Sequence, residues 1–186
     1  SLPSGVTGSS LVLISEQTAS SSANISFTSG IDSTYKEYVF KFIDIHPATD
    51  AQAFTFNLSA DGGSNYNVTK TTTYFLAYHN EGGSSTTLGY TSSADLAQST
   101  GEQYLFRDIG NDNDQSGSGT LHLFDPSSTT FVKHFTGNFQ SYKSDDYTHQ
   151  NFPAGYGNTT SAVNAIRFKF ASGNIDSGTI KMYGVV

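Results

Sequence analysis

The sequence predicts an all-β domain, folded as an antiparallel two-sheet β-sandwich of jelly-roll-like form. Three observations predict it. Aromatic residues make up 13% of the chain, all of them Phe and Tyr, which favour strands, and Ser, Thr, Gly and Asn fill most gaps between them. Apolar and polar positions alternate in many short segments, whereas a helical period is almost missing. Turn residues separate those segments at regular intervals.

Residues 1–10, "SLPSGVTGSS", read as a linker or arm, as expected of a processed or C-terminal piece of a longer chain. Residues 11–186 read as a single sandwich domain without internal repeats. Leu11 to Ile14 is a continuous apolar run and opens a strand at 11–15. Further strands are expected near 23–28, 35–45, 51–60, 66–79, 86–91, 102–109, 118–124, 129–142, 162–171 and 178–185. In "AFTFNLS", Phe54, Phe56 and Leu58 share one face, opposite Thr55, Asn57 and Ser59. In "AIRFKFA", Ile166, Phe168 and Phe170 oppose Arg167 and Lys169, and "GTIKMYG" sets Ile180 and Met182 against Lys181 and Tyr183. A period of two with one apolar face means a half-buried antiparallel strand. "DGGSN", "EGGSS", "DPSS" and "SGNIDSG" supply the turns, through positive φ at Gly and side-chain bonds from Asp, Asn and Ser. Only "SADLAQ" (Ser93 to Gln98) offers a turn or two of helix.

Bulk chemistry narrows the function. A net charge of −7 and two isolated arginines, Arg107 and Arg167, argue against nucleic acid, which needs a basic surface. No apolar run approaches the roughly 18 residues of a membrane span. Without Cys, the fold has neither disulfides nor thiolate metal sites. Four N-x-[ST] sequons begin at Asn24, Asn57, Asn67 and Asn158, but Ser and Thr are so frequent that chance explains most of them. There is no G-x-S-x-G elbow, H-E-x-x-H helix, phosphate loop or Cys nucleophile, and none of the four Glu pairs with an Asp at suggestive spacing. No enzymatic activity is expected. His122 and His134 flank the "DPSSTT" turn and read as polar-face residues of one hairpin; zinc would need a third ligand.

Two stretches hold candidate sites. In "IGNDNDQSGSGTLHLF", Asp112, Asp114, Ser116 and Gly117 fit the first half of a calcium loop. Leu123 stands where an EF-hand would supply its bidentate Glu, and both flanks read as strands. The segment is therefore a turn first and a ligand set second, with no cofactor expected beyond weakly held calcium. The other stretch, "YKSDDYTHQNFPAGYGN" (Tyr142 to Asn158), reads as a long polar-aromatic loop without alternation. Tyr142, Tyr147, His149 and Tyr156 are its candidate ligand-binding residues, since an aromatic ring with a polar tip suits the face of a sugar.

Three segments carry a family resemblance: "YKEYVFKFIDIHPATDAQAFTFNLSADGGSNYN", "GTLHLFDPSSTTFVKHF" and "AVNAIRFKFASGNIDSGTIKMYGVV". Together they resemble virion structural proteins of tailed phages, particularly marine ones. The resemblance implies a jelly-roll-like domain on the virion surface, as capsid decoration or as a tail or fibre component. Its partners would be other virion proteins, and no catalytic residue is carried over. The rival expectation is a carbohydrate-binding adhesin or receptor-binding module that reads a host-surface glycan with the loop aromatics. Self-association is also expected. Only 13% of residues are charged, too few to guard every sheet edge, and the Leu11–Ile14 run is suited to strand addition.

Overall fold

A computed structural model of the chain describes residues 10–186. All but Ser10 of the expected arm lies outside the described residues. Twelve strands form, every pairing is antiparallel, and no helix occurs among the described residues. They are β1 (Leu11–Ser22), β2 (Ile25–Phe27), β3 (Glu37–Pro47), β4 (Gln52–Ser59), β5 (Lys70–Asn80) and β6 (Thr86–Tyr90). The second half contributes β7 (Gln103–Ile109), β8 (Gly117–Phe124), β9 (Lys133–Lys143), β10 (Tyr147–Gly157), β11 (Ala165–Phe170) and β12 (Ile175–Val185).

Three expectations for single segments need correction. The helical turn at Ser93 to Gln98 does not form; the segment is a run of turns that buries Ala94, with the Leu96 N–H donating to Thr72 Oγ1 at 2.7 Å. The first strand runs on to Ser22, because β12 offers a backbone partner for nearly every residue as far as Ile175. Most important, Tyr147–Gly157 is a strand and not a loop. β10 pairs with β5 on one side and β9 on the other.

The strands also do not divide clearly into two sheets. One hydrogen-bonded path runs β1-β12-β3-β8-β9-β7-β4-β11-β2, and β10, β5 and β6 extend in turn from β9. Beyond its Gly117↔Ser141 pair with β8, β9 continues to Lys143, which pairs with Ile109 of β7. That stitch makes a nearly closed, barrel-like sheet where a two-sheet sandwich was expected.

Phenylalanines fill the space enclosed. Phe168 of β11 is fully buried, with ring centroids 4.9 Å from Phe42, 5.4 Å from Phe40 and 6.3 Å from Phe27. All three contacts are edge-to-face, worth about 0.5–1.5 kcal/mol each beyond area burial. A smaller cluster of Tyr74, Leu76 and Ala94 packs with Tyr78 and Tyr104. The polar face of β4, expected to meet solvent, is buried too: Thr55, Asn57 and Ser59 are at most 2% exposed. Each has a partner, as burial demands: Thr55 donates to Lys169 O, Asn57 to Thr100 O and Ser59 to Asp61 Oδ1.

Candidate functional site

The ladder between β5 and β10 runs from Lys70↔Gly157 to Asn80↔Tyr147. Directly opposed residues share a face and successive residues change face. Tyr78 and His149 are opposed, so both project inward with Leu76 and Asn151. At this end the inward face opens into a groove of about 330 Å³, lined by Tyr78, Tyr147 and His149 together with Arg107, Asp108 and Lys143. The Tyr78 and Tyr147 rings meet edge-to-face at 5.3 Å, and the Lys143 ammonium lies 5.2 Å from the Tyr147 ring centroid.

The charges of the groove are balanced in pairs. Arg107 faces Asp108 at 3.7 Å, and Lys143 pairs with Asp145, whose pKa it lowers by hydrogen bonding. Asp108 has φ of 55°, a left-handed conformation that costs a non-glycine residue energy. His149 is 4% exposed, and burial lowers its pKa, which keeps the ring neutral. Its Nδ1 is buried without a partner. An orphaned lone pair costs less than an orphaned N–H, which assigns the proton to Nε2. The groove thus combines aromatic faces, a neutral imidazole and paired charges of both signs. Such a surface can hold a hydroxyl-rich ligand: rings cover its apolar face, and carboxylate and guanidinium groups bond its edges.

The four candidate ligand residues divide between two faces, because β10 is a strand. Tyr147 and His149 line the groove together. Tyr142 opposes Thr148 on the outward face, in a separate cavity of about 360 Å³ with Glu81, Asp114 and Ser116. Its hydroxyl lies 3.0 Å from Glu81 Oε1 and 3.2 Å from Asp146 Oδ1, and those hydrogen bonds, led by Glu81, hold the phenol well above its ordinary pKa. Tyr156 sits near the other end of β10 and opposes His134, with ring centroids 6.2 Å apart. Sequence reading left Tyr78 out of the candidate set and missed Arg107, Asp108 and Lys143, since strand pairing brings them to Tyr147.

Asp112, Asp114 and Ser116 fall in one turn, organised by a neutral side chain between them. Gln115 is 3% exposed, its N–H donates to Asp112 O at 2.9 Å, and its Oε1 accepts from the Asp112 N–H at 3.3 Å. His46 Nδ1 donates to Gln115 O at 2.7 Å and ties the turn to β3. Among the described residues, no group of three or more His, Asp or Glu side chains gathers as a metal would require. His122 and His134 take separate partners: His122 Nδ1 bonds Glu37 Oε1 at 2.6 Å, while His134 packs beside Tyr156. No family model matches the chain, and neither does any curated protein or solved structure.

Proposed function

We propose that this chain is a non-enzymatic structural protein of a phage virion, displayed on the particle surface as capsid decoration or as part of a tail or fibre. The observation that carries the reading, beside the resemblance of its three segments, is the state of the sheet edges. β1 is twelve residues long and, among the described residues, pairs only with β12. Val12 and Leu13 on it are 39% and 51% exposed, and Glu16 is its one charged residue. β6, another edge, exposes Leu88 at 76% and Tyr90 at 58%. Proteins that remain alone blunt such edges with charge, Pro or bulges. β1 carries one such bulge, between Leu13 and Ser15, but the exposed Val12, Leu13, Leu88 and Tyr90 still suit a domain that adds to a lattice or to its own copies, where many weak contacts reinforce one another. The finer fold reading is a variant jelly-roll-like sandwich, with β7-β4-β11-β2 as one layer, joined to the other through Ile109 and Lys143. Gold-labelled antibody to the chain should decorate intact particles of the phage that encodes it; unlabelled particles would count against display.

The groove favours a second reading, a carbohydrate-binding adhesin, because Tyr78, Tyr147 and His149 gather beside two balanced ion pairs. A glycan array separates the readings. Specific binding that is lost in Tyr147→Ala supports the adhesin, and absence of binding to any glycan leaves the structural role alone.

A further inference from the structure

Lys70, the first residue of β5, is fully buried, and Asn57 of β4 is 2% exposed. A buried ammonium is costly, and proteins keep one only with close compensation. Lys70 Nζ has Val68 O at 2.9 Å and Asn57 Oδ1 at 2.5 Å, the latter shorter than an ordinary hydrogen bond. The Glu102 carboxylate acts on it through charge alone, without a direct ion pair. The register shows how Glu102 comes to be there. β4 pairs Phe56 with Gln103 on one side and Asn57 with Arg167 on the other. Glu102 therefore lies one residue beyond the Phe56 pair, beside Asn57. Arg167 Nη2 bonds Glu102 Oε1 at 2.6 Å, so this ion pair spans Asn57 from both flanking strands. The second carboxylate oxygen, Oε2, is buried and has no partner. Tyr66 closes the cluster, with the Arg167 guanidinium 4.5 Å from its ring centroid.

A buried amine in contact with a buried carboxamide, and a partly buried, under-bonded carboxylate just ahead of the neighbouring strand, are the parts required for amide exchange. We propose that Lys70 and Asn57 become joined by an intramolecular isopeptide bond, with Glu102 carrying the proton. As the Glu102 side chain closes on Lys70, the ammonium gives it a proton, and the freed lone pair of Nζ attacks Cγ of Asn57. The protonated Glu102 then returns its proton to the departing Nδ2 as the Cγ–Nδ2 bond breaks. Nζ keeps one hydrogen, ammonia leaves with the remaining proton as ammonium, and Glu102 ends as it began. One C–N bond forms, one breaks, and nothing is oxidised or reduced. Burial supports the first step by lowering the Lys70 pKa to about 8, since it disfavours the charged amine. The bond would close the loop between β4 and β5 covalently, in a chain that has no Cys to do so.

Mass spectrometry of the full-length chain tests this. The folded protein should weigh less than its sequence by one ammonia, and after cleavage at Asp61 the piece with Asn57 should remain attached to the piece with Lys70. Glu102→Gln, which keeps the side-chain shape, should restore the full mass. Asn57→Asp should still link, with loss of water instead of ammonia. A strand-rich wild-type chain at full sequence mass would overturn the proposal. So would an ammonia loss whose two pieces separate after cleavage. A Glu102→Gln variant that links as completely as wild type would overturn the role given to Glu102.

Discussion

Phe168 shows how much of the fold hangs on single side chains. It meets rings from β2 and β3 at once and is fully buried. Phe168→Ala removes those contacts and leaves a cavity that surrounding aromatics cannot close, so a loss of about 3–5 kcal/mol is expected in urea unfolding. Tyr74 makes a different kind of buried contact, its hydroxyl donating to Asn151 Oδ1 at 2.7 Å. Burial pushes its pKa above the ordinary 10.0. The folded state thus keeps a proton that the unfolded chain releases near pH 10, so this contribution is complete below pH 10 and is lost as the pH climbs further. Tyr74→Phe should cost about 1–2 kcal/mol near neutral pH through the lost bond. Denaturant midpoints measured up the alkaline range should show that gap narrowing above pH 10, because the variant has no phenol at this position to titrate.

Among the elements, β10 was least legible in the sequence and β11 most. β11 writes its burial in side-chain type: Ile166, Phe168 and Phe170 are buried, and Arg167 and Lys169 are not. β10 has the same alternation of burial, but its inward residues are His149, Asn151, Pro153 and Gly157. Polarity therefore does not reveal the period. Asn151 is tolerated because Tyr74, Ser141 and the Phe139 carbonyl serve its amide. Pro153 lacks an N–H, and the pairing with β9 skips from Asn151↔Phe139 to Ala154↔Thr136. Gly137 lies across this gap, where an added Cβ would come within 2.5 Å of the Phe139 ring and 3.0 Å of Pro153 Cγ. Gly137→Ala should therefore destabilise by about 1–3 kcal/mol through overpacking, seen as a lower thermal midpoint. For the same reason the candidate site was half legible: the residue types at 142–156 suggested ligand contact, but assigning them to one loop hid that a strand splits them between faces.

At the scale of the whole molecule, alternation and turn residues reveal an all-β antiparallel chain, because each is a local property. Closure of the sheet is not local. It depends on Lys143 meeting Ile109, residues 34 positions apart (143 − 109), and no short pattern encodes that contact. Gln115 and His46 hydrogen-bond within the Asp112–Ser116 turn, so EDTA is expected to leave the thermal midpoint unchanged; a sharp fall, matched in Asp112→Ala and Asp114→Ala, would show a structural metal. The exposed apolar side chains on the edge strands β1 and β6 carry the proposal that this chain works in many copies on a particle. Electron cryomicroscopy of purified phage particles, the location proposed for this chain, tests that claim most directly. Density for this twelve-stranded domain is expected, repeated on the outer surface with its edge strands at the contacts. Particles purified to homogeneity that contain none of the chain would contradict it.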